Sequence, residues 1–317
     1  MVRVAAIDCG TNSIRLLVAD LADSKLVDVH REIRIVRLGQ NVDATGRLAP
    51  EAIERTRLAL ADYAATIRHT DAQQVRMVAT SATRDADNRD DFFRMVRQTL
   101  NADAEVITGD EEARLSFTGA VGDLDPDDGP FVVVDVGGGS TEVVLGDWDG
   151  TSARVTAAHS VNVGCVRITE RHLHSDPPTL GEISAARQFA AEILQEAFTE
   201  VPVDRARTWV GVAGTVTTLS AVSQRLPDYN AACTHLSRLS LQQVRDTAEN
   251  LLASTHQQRA ANPVIHPGRV DVIAGGALIV AVLAEQLQAR AGIAELVVSE
   301  HDILDGIALG LADAGRA

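Results

Sequence analysis

The chain of 317 residues is long for a single hydrophobic core and suits two domains of ordinary size. Its formal net charge of −15 and its aromatic content of 3% disfavour a nucleic-acid-binding protein, which needs a basic surface and exposed rings for stacking. Its three cysteines form no C-x-x-C pair, which excludes a zinc ribbon and a thioredoxin-like site and favours free buried thiols in a reducing cytoplasm.

The first part of the chain predicts a β-rich start followed by alternating helices and strands. Four antiparallel strands are expected at Val2–Asp8, Ile14–Asp20, Lys25–His30 and Ile33–Leu38. A strand at the N-terminus is no signal peptide, so we expect a cytoplasmic protein. The later elements are a helix from Pro50, a strand at Val75–Ala79, a helix around Phe92, a strand at Glu105–Ile107 and a further helix. Ser81 is the expected cap of the helix around Phe92, and Asp110 is the expected cap of the last one.

An acidic, Gly- and Pro-rich break at 122–130 is the best internal boundary, and the pattern restarts after it. The expected elements are a hairpin of Phe131–Asp135 and Glu142–Gly146, strands at Arg154–Ser160, Thr208–Ala213 and Glu295–Ser299, and helices at Thr179–Glu200, Gly214–Leu226, from Ser240, Asp271–Leu287 and Asp302–Leu311. The apolar stretch 272–287 is too short and too mixed to span a membrane. Because a similar order of elements occurs twice, we predict an α/β protein with two related lobes.

Two glycine-hydroxyl segments at matching places in this repeat are the most informative feature. Val2–Ser13 and Phe131–Thr141 each contain an apolar strand, then an Asp, then Gly with Ser, Thr or Asn. Such a turn supplies backbone N–H groups and a carboxylate at one sheet edge, as a phosphate and metal site requires. The alternative for Gly137-Gly138-Gly139-Ser140 is a tight hairpin without a ligand.

Three carboxylates in these segments are candidate metal ligands. Asp8 and Asp135 stand where the two strands end, and Glu142 follows the second loop. Mg²⁺ prefers one or two carboxylates together with water and phosphate oxygens, although a loop Asp can equally be a cap or turn former. His172 and His174 lack a third ligand nearby, so we expect no histidine metal site.

Three further charged residues are ambiguous as functional candidates from spacing alone. Glu111 and Glu112 begin a predicted helix, where a favourable interaction with the helix dipole is sufficient to explain them. Arg84 is either a solvated surface residue or a clamp for a phosphate group.

Taken together, seven segments resemble the Ppx/GppA family of exopolyphosphatases and guanosine pentaphosphate phosphohydrolases. The segments are I-D-C-G-T-N-S-I-R (7–15), A-T-S-A-T-R-D-A (79–86), I-T-G-D-E-E-A-R (107–114), V-D-V-G-G-G-S-T-E (134–142), G-C-V-R (164–167), V-A-G-T-V-T-T-L (212–219) and P-G-R-V-D-V-I-A-G-G (267–276). They run in family order across nearly the whole chain. The resemblance implies two ribonuclease H-like lobes of the actin/Hsp70/sugar-kinase (ASKHA) superfamily with a cleft between them. Lobe I is expected at 1–121 with a C-terminal helix at about 300–317, and lobe II at 122–299.

The resemblance also implies roles for individual residues. Glu112 corresponds to the general base that activates the attacking water. The other implied roles are phosphate binding by Asn12, Ser13, Arg84, Gly137, Gly138, Gly139 and Ser140, metal binding by Asp135 and Glu142 with Asp8 as a further ligand, and guanosine polyphosphate contacts by Arg15 and Arg269. The implied cofactor is Mg²⁺, with Mn²⁺ as an alternative and a monovalent cation such as K⁺ compatible with the site.

The chain departs from the family pattern in two places. It resembles the short, two-lobed form, without the helical region that long members carry. Relatives often read R-E-G after the last strand, whereas Ser299–Gly306 contains no Arg, so a phosphate contact from there is expected to be lost.

The expected activity is removal of terminal phosphate from inorganic polyphosphate, a phosphoric anhydride hydrolysis. Conversion of pppGpp to ppGpp is the alternative at the same site, because both substrates present a terminal phosphoanhydride. More distant alternatives are a small-molecule kinase of this fold and a non-enzymatic sensor of alarmone or polyphosphate. No membrane or nucleic-acid partner is expected, and a homodimer follows from the resemblance alone.

Overall fold

The computed structural model of the chain describes residues 2–22 and 25–314. The described chain contains two mixed sheets flanked by helices, which confirms the predicted α/β class. It divides into two compact units, Met1–Gly119 with Ile303–Ala317, and Ala120–Asp302. Residues 315–317, which the predicted C-terminal helix includes, lie outside the described residues.

The first unit is built around one five-stranded sheet. Its strands are β1 Val2–Cys9, β2 Ser13–Ala22, β3 Lys25–Ile35, β4 Gln74–Ala79 and β5 Ala104–Val106. Its helices are α1 Val42–Thr45, α2 Pro50–His69, α3 Ser81–Arg84, α4 Arg89–Leu100, α5 Gly109–Ala120 and, from the end of the chain, α13 Ile303–Ala314. The strand order is β3-β2-β1-β4-β5.

Both faces of this sheet are covered, so β1 is apolar from Val4 to Ile7. Ala5 and Ile7 belong to a cluster with residues of α2 and α4, whereas Val4 and Ala6 pack with residues of α13. Side chains alternate between the two faces of a strand, so a strand that is buried on both faces needs a continuous apolar run. The apolar start of the chain thereby fixes β1 in the centre of the sheet.

Two predicted strands of the meander are one strand in the structure. Lys25–His30 and Ile33–Leu38 were expected to be separate, but β3 continues to Ile35 and pairs with β2 through Arg31 and Glu32. Charged side chains are tolerated there because β3 is an edge strand with solvent beside it. The predicted break between the two segments was therefore wrong, and residues 36–38 lie beyond the end of β3.

Two predicted helix caps are also wrong. Ser81 does not cap the helix around Phe92; it is the first residue of α3, and its Oγ lies 2.8 Å from Thr11 Oγ1. Asp110 lies inside α5, and Thr108 Oγ1 accepts the hydrogen bond from the Glu111 amide at 3.2 Å. Thr108 therefore takes the capping role expected of Asp110, whereas neither α3 nor α4 has a side-chain cap hydrogen bond.

The second unit is built around one six-stranded sheet. Its strands are β6 Phe131–Val136, β7 Thr141–Trp148, β8 Ala153–Val161, β9 Thr208–Val212, β10 Arg238–Ser240 and β11 Glu295–Val298. Its helices are α6 Cys165–His172, α7 Leu180–Glu200, α8 Ala213–Ser223, α9 Ala231–Thr234, α10 Leu241–Ala253, α11 His256–Ala260 and α12 Ile273–Ala291. The strand order is β10-β11-β9-β6-β7-β8.

Two helices of this unit, α7 and α10, begin at capping boxes that the sequence predicts. Thr179 and Ser240 each form a capping box, with Glu182 and Gln243 as the reciprocal partners. Helix α12 is long and apolar enough to cross a membrane, but 72% of its most apolar window is buried inside the protein. We therefore interpret α12 as a core helix, because its side chains complete the largest apolar cluster.

The two units repeat one strand arrangement. In each, an antiparallel hairpin comes first, β1–β2 in one and β6–β7 in the other. A third strand extends each hairpin on one side, β3 and β8 respectively. On the other side the first strand pairs in parallel with a later one, β4 or β9. The twofold repeat seen in the sequence is therefore a repeat of sheet topology.

Candidate phosphate and metal site

The glycine loop between β6 and β7 is held by the start of helix α6. The Gly137 amide donates to the Ser140 carbonyl at 3.1 Å, which closes the turn. The Gly137 carbonyl accepts from the Cys165 amide at 2.9 Å, and the Gly138 carbonyl accepts from the Val166 amide at 2.9 Å. The loop carbonyls thus satisfy amides of the first turn of α6, which a helix cannot satisfy internally.

This arrangement fixes the direction of the next amides in the loop. In a planar trans peptide unit, the carbonyl and the following N–H point in opposite directions. Because the Gly137 and Gly138 carbonyls point at α6, the N–H groups of Gly138 and Gly139 point away from it. Successive amides on one side of a turn form an anion-binding concavity. The loop can therefore donate to phosphate oxygens on the side opposite α6.

Gly164 makes the close approach of α6 to this loop feasible. A Cβ atom at this position would lie 2.5 Å from both the carbonyl carbon and the oxygen of Gly138, and 2.7 Å from the Gly139 nitrogen. Real Cβ atoms do not approach backbone this closely, so any side chain here would displace the loop. The G-C-V-R segment is thus part of the loop's support.

The first glycine loop, between β1 and β2, is supported in the same way by a different segment. The Gly10 amide donates to the Ser13 carbonyl at 2.9 Å. The carbonyls of Thr11 and Asn12 accept from amides of residues 36–39 at distances from 2.8 to 3.0 Å. By the same peptide geometry, the N–H groups of Asn12 and Ser13 point away from that segment. Each unit therefore presents a pair of oriented loop amides.

Asp135 and Glu142 form a buried pair of carboxylates beside the second loop. They are directly opposite each other in the β6–β7 register and are 6% and 1% exposed, respectively. Ser160 on β8 donates its hydroxyl to Glu142 Oε1 at 2.7 Å. Like charges at opposed positions destabilise a sheet, and a divalent cation would neutralise them. The oxygen donors and their burial therefore fit Mg²⁺ or Mn²⁺.

Asp8 occupies the corresponding place in the first unit, but its neighbour differs. Arg15 lies opposite Asp8 in the β1–β2 register, and its Nη2 and Nε donate to Asp8 Oδ2 at 2.7 and 3.0 Å. The charge of Asp8 is thus balanced within its own hairpin. Two predicted residues, one for metal and one for nucleotide, are brought together here as an ion pair.

Glu112 lies in the first turn of α5 with Arg84 beside it. The Glu112 side chain is 10% exposed, and its Oε2 accepts a hydrogen bond from Arg84 Nη1 at 3.2 Å. The same Arg84 nitrogen donates to the Ile107 carbonyl at 3.0 Å, which ties the guanidinium to the strand end before α5. A carboxylate held in this way keeps one orientation, as a general base requires.

The neighbouring Glu111 has a different environment. Its carboxylate is 44% exposed and forms an ion pair at 2.8 Å with Arg76, which also contacts Glu105. An exposed pair of this kind contributes little to stability. The structure therefore separates two glutamates that spacing alone could not, with Glu111 at the surface and Glu112 buried against Arg84.

Arg269 lies against the turn between β9 and α8. Its Nη1 donates to the Gly214 carbonyl at 2.9 Å and to Thr218 Oγ1 at 3.1 Å. A Cβ atom on Gly214 would lie 1.9 Å from Arg269 Nη2, so the guanidinium needs a glycine there. Ala213 beside it has φ 67°, a left-handed conformation that a non-glycine residue rarely adopts. Two of the matching segments, 212–219 and 267–276, thus meet at one turn.

The stretch that lacks the family arginine is used for packing. Leu304 is buried among apolar residues beneath β1. Asp305 is 4% exposed and accepts hydrogen bonds from Arg31 of β3, the closer at 2.5 Å. Burial alone would lower the pKa of Arg31, but the two carboxylates of Asp305 and Asp28 raise it above its usual value.

One polar cluster was not anticipated from the sequence. Asp123, His235 and His301 place their potential ligand atoms within 4.8 Å of one another. The Glu300 amide donates to His235 Nδ1 at 3.2 Å, so neutral His235 carries its proton on Nε2, 3.3 Å from Asp123 Oδ2. A metal-bound histidine would instead donate from its second nitrogen. We therefore interpret this cluster as a hydrogen-bonded one, which no local spacing could reveal.

The cysteines depart from expectation at one position. Cys9 and Cys165 are free and buried, as predicted, whereas Cys233 is free and exposed. Cys233 lies in the short helix α9 near the surface, which the sequence analysis did not predict.

The chain matches proteins of one family over most of its length. The family model described as Ppx/GppA phosphatase matches residues 17–310. The chain is 59% identical to Exopolyphosphatase 2 of Mycobacterium tuberculosis, over 98% of this chain and 99% of that protein. It superposes with a TM-score of 0.95 on an exopolyphosphatase-like protein at 43% identity, with 100% and 99% of the chains covered. It also superposes with a TM-score of 0.79 on the Aquifex aeolicus member of the Ppx/GppA family at 30% identity, over 100% of this chain and 99% of that one. With the two repeated sheets, these likenesses confirm the ASKHA-type fold, and the chain belongs to the Ppx/GppA phosphatase family.

Proposed function

We propose that this protein is an exopolyphosphatase, which hydrolyses the terminal phosphoanhydride of inorganic polyphosphate. The observation that carries the assignment is the 59% identity to Exopolyphosphatase 2 along the whole of both chains. The local geometry in both units supports this chemistry, because it supplies oriented amides, a buried carboxylate pair and a carboxylate held by a guanidinium.

Glu112 is the proposed general base. Phosphoryl transfer needs a positioned nucleophile and neutralised charge more than covalent chemistry from the protein. Arg84 holds the Glu112 carboxylate at 3.2 Å, which keeps it in one orientation for accepting a proton from the attacking water. Arg84 also brings positive charge to the place where the water attacks, which favours a terminal phosphate there.

The loop amides are the proposed phosphate ligands. The N–H groups of Gly138 and Gly139 in one unit, and of Asn12 and Ser13 in the other, are oriented by the supports of their loops. Preorganised donors need no rearrangement when charge develops on the phosphate oxygens.

Asp135 and Glu142 are the proposed ligands of a divalent cation. A bound Mg²⁺ would neutralise phosphate charge and polarise the bond that breaks. Mn²⁺ offers similar coordination, and a monovalent ion such as K⁺ is compatible with the phosphate loops. Asp8 is a weaker candidate ligand because Arg15 already balances its charge.

Hydrolysis of pppGpp is the alternative at the same site. It would use Arg15 and Arg269 to contact the nucleotide. Arg15 is paired with Asp8, and Arg269 is bound to Gly214 and Thr218. Because both guanidinium groups have structural partners within their own units, the geometry favours a substrate that needs no nucleoside contact. A homodimer is part of the proposal on the family resemblance alone, and a cytoplasmic location is part of it on the free cysteines and the strand at the N-terminus.

A phosphate-release assay tests the assignment. Purified protein is given short polyphosphate, long polyphosphate, pppGpp and ATP side by side, with Mg²⁺, with Mn²⁺ and with EDTA. The proposal predicts the highest kcat/KM for polyphosphate and no release in EDTA. A higher kcat/KM for pppGpp would establish the alternative, and transfer from ATP to an acceptor sugar would establish a kinase.

A further inference from the structure

We infer that Arg167 is a positioning residue for the second phosphate loop, and that it orients the Ser140 amide as a third donor to the terminal phosphate. The inference rests on the proposed function, because it assigns the loop a phosphoanhydride substrate. From the sequence alone, Arg167 has no role beyond its place in the G-C-V-R segment.

Arg167 contacts two successive carbonyls of the loop. Its side-chain Nε donates to the Gly139 carbonyl at 2.8 Å, and its own amide donates to the Gly138 carbonyl at 3.2 Å. With the contacts from Cys165 and Val166, three consecutive loop carbonyls are held from the side of α6. Of these three carbonyls, that of Gly139 is the one held by a side chain.

The consequence follows from the geometry of the peptide between Gly139 and Ser140. Because its carbonyl points at the Arg167 guanidinium, its N–H, which belongs to Ser140, points the opposite way. The amides of Gly138, Gly139 and Ser140 therefore line up as three successive donors on one side of the loop. A concavity of this kind is suited to a tetrahedral phosphate with several oxygens.

A side-chain anchor is needed at this peptide because glycine precedes it. Rotation of the Gly139–Ser140 peptide changes ψ of Gly139, and glycine restricts that rotation less than any other residue. A rotated peptide would replace a donor with a carbonyl oxygen, which repels phosphate. The hydrogen bond from Arg167 stabilises the productive orientation before substrate arrives.

Three substitutions separate a hydrogen bond to the loop from a charge on the phosphate. In Arg167→Gln, Nε2 lies the same number of bonds from Cα as the arginine Nε, so the donor is kept and the charge is lost. In Arg167→Met, a chain of similar shape is kept without the donor. In Arg167→Lys, the charge is kept but the nitrogen lies one bond further out. Arg171→Met, on the exposed side of the same helix, is the control.

The readouts are kcat and KM for polyphosphate, the melting temperature, and the ¹⁵N–¹H NMR shift of the Ser140 amide during titration with tripolyphosphate. Arg167→Met is expected to lower kcat/KM about 100-fold, the lower end of the loss that follows removal of an oriented donor. Its Ser140 amide should lose the shift that tripolyphosphate induces in the wild-type protein. Arg167→Gln should stay within about threefold of wild type, and Arg171→Met should be unchanged.

The inference is wrong if Arg167→Gln is as impaired as Arg167→Met while Arg167→Lys is active, because charge would then matter and the donor would not. Wild-type kinetics in Arg167→Met would also overturn it. The NMR titration keeps this outcome separate from the proposed function. A wild-type protein whose Ser140 amide responds to tripolyphosphate without hydrolysis contradicts the activity and leaves the positioning role intact.

Discussion

Glu142 lies directly opposite Asp135 across the β6–β7 hairpin, and both side chains are buried. In the other hairpin the same register position, opposite Asp8, is occupied by Arg15. The repeat has thus diverged at one position. One hairpin balances its carboxylate with an arginine, whereas the other brings two carboxylates together and is suited to a cation.

This difference predicts opposite effects of removing one carboxylate from each hairpin. Glu142→Gln should raise the melting temperature in EDTA by about 2–4 °C, because relief of repulsion between opposed like charges contributes up to about 1 kcal/mol. It should also weaken stabilisation by Mg²⁺. Asp8→Asn should lower the melting temperature with or without Mg²⁺, because it removes the carboxylate that Arg15 contacts. Thermal unfolding in EDTA and in Mg²⁺ measures the melting temperature of each variant. Equal shifts in the two variants would contradict the proposed difference between the two hairpins.

Gly164→Ala should lower phosphatase activity through the loop that it supports. The added methyl would meet the Gly138 backbone at 2.5 Å, so the oriented amides must shift. We expect kcat/KM for polyphosphate to fall about 100-fold, as with a displaced oxyanion donor. Gly181→Ala is the matched control, since the nearest atom to its Cβ would be Thr179 Oγ1 at 4.0 Å. Activity in Gly164→Ala equal to that of Gly181→Ala would show that the close approach does not matter.

The pair of Arg31 and Asp305 should matter for folding and not for chemistry. Arg31→Met leaves Asp305, which is 4% exposed, without its guanidinium. Because Arg31 is itself partly exposed, we expect a loss of about 2 kcal/mol, below the range for a fully buried pair. Arg57→Met removes an exposed pair with Glu54 and should change stability little. Chemical denaturation compares the two, and equal losses would argue against a special role for the buried carboxylate.

Stability should fall between about pH 7 and pH 5 because folding lowers the pKa of three histidines. Burial lowers the pKa of His172, His235 and His266 from the ordinary value of 6.5. The unfolded chain therefore binds more protons than the folded one below that value, so the free energy of unfolding decreases as the pH falls. Denaturation at pH 7.5, 6.5 and 5.5 measures this, and His235→Gln should reduce the slope. Greater stability at pH 5.5 than at 7.5 would contradict it.

The repeated hairpins and the two capping boxes could be predicted because local residue patterns determine them. Helix α6 could not, because it has no side-chain cap and its first amides are satisfied by carbonyls of the distant glycine loop. Which of Glu111 and Glu112 is the buried one could not be predicted from the sequence either. Their environments differ only through Arg76 and Arg84, which come from elsewhere in the sequence.

The role of Glu112 is tested most directly by phosphate release from Glu112→Gln, with Glu111→Gln as the control. Loss of a general base should lower kcat about 10²- to 10⁴-fold, while binding of polyphosphate, measured by calorimetry, stays within about threefold of wild type. Glu111→Gln should keep normal turnover, because its carboxylate lies at the surface. Normal phosphate release by Glu112→Gln would contradict the proposed mechanism.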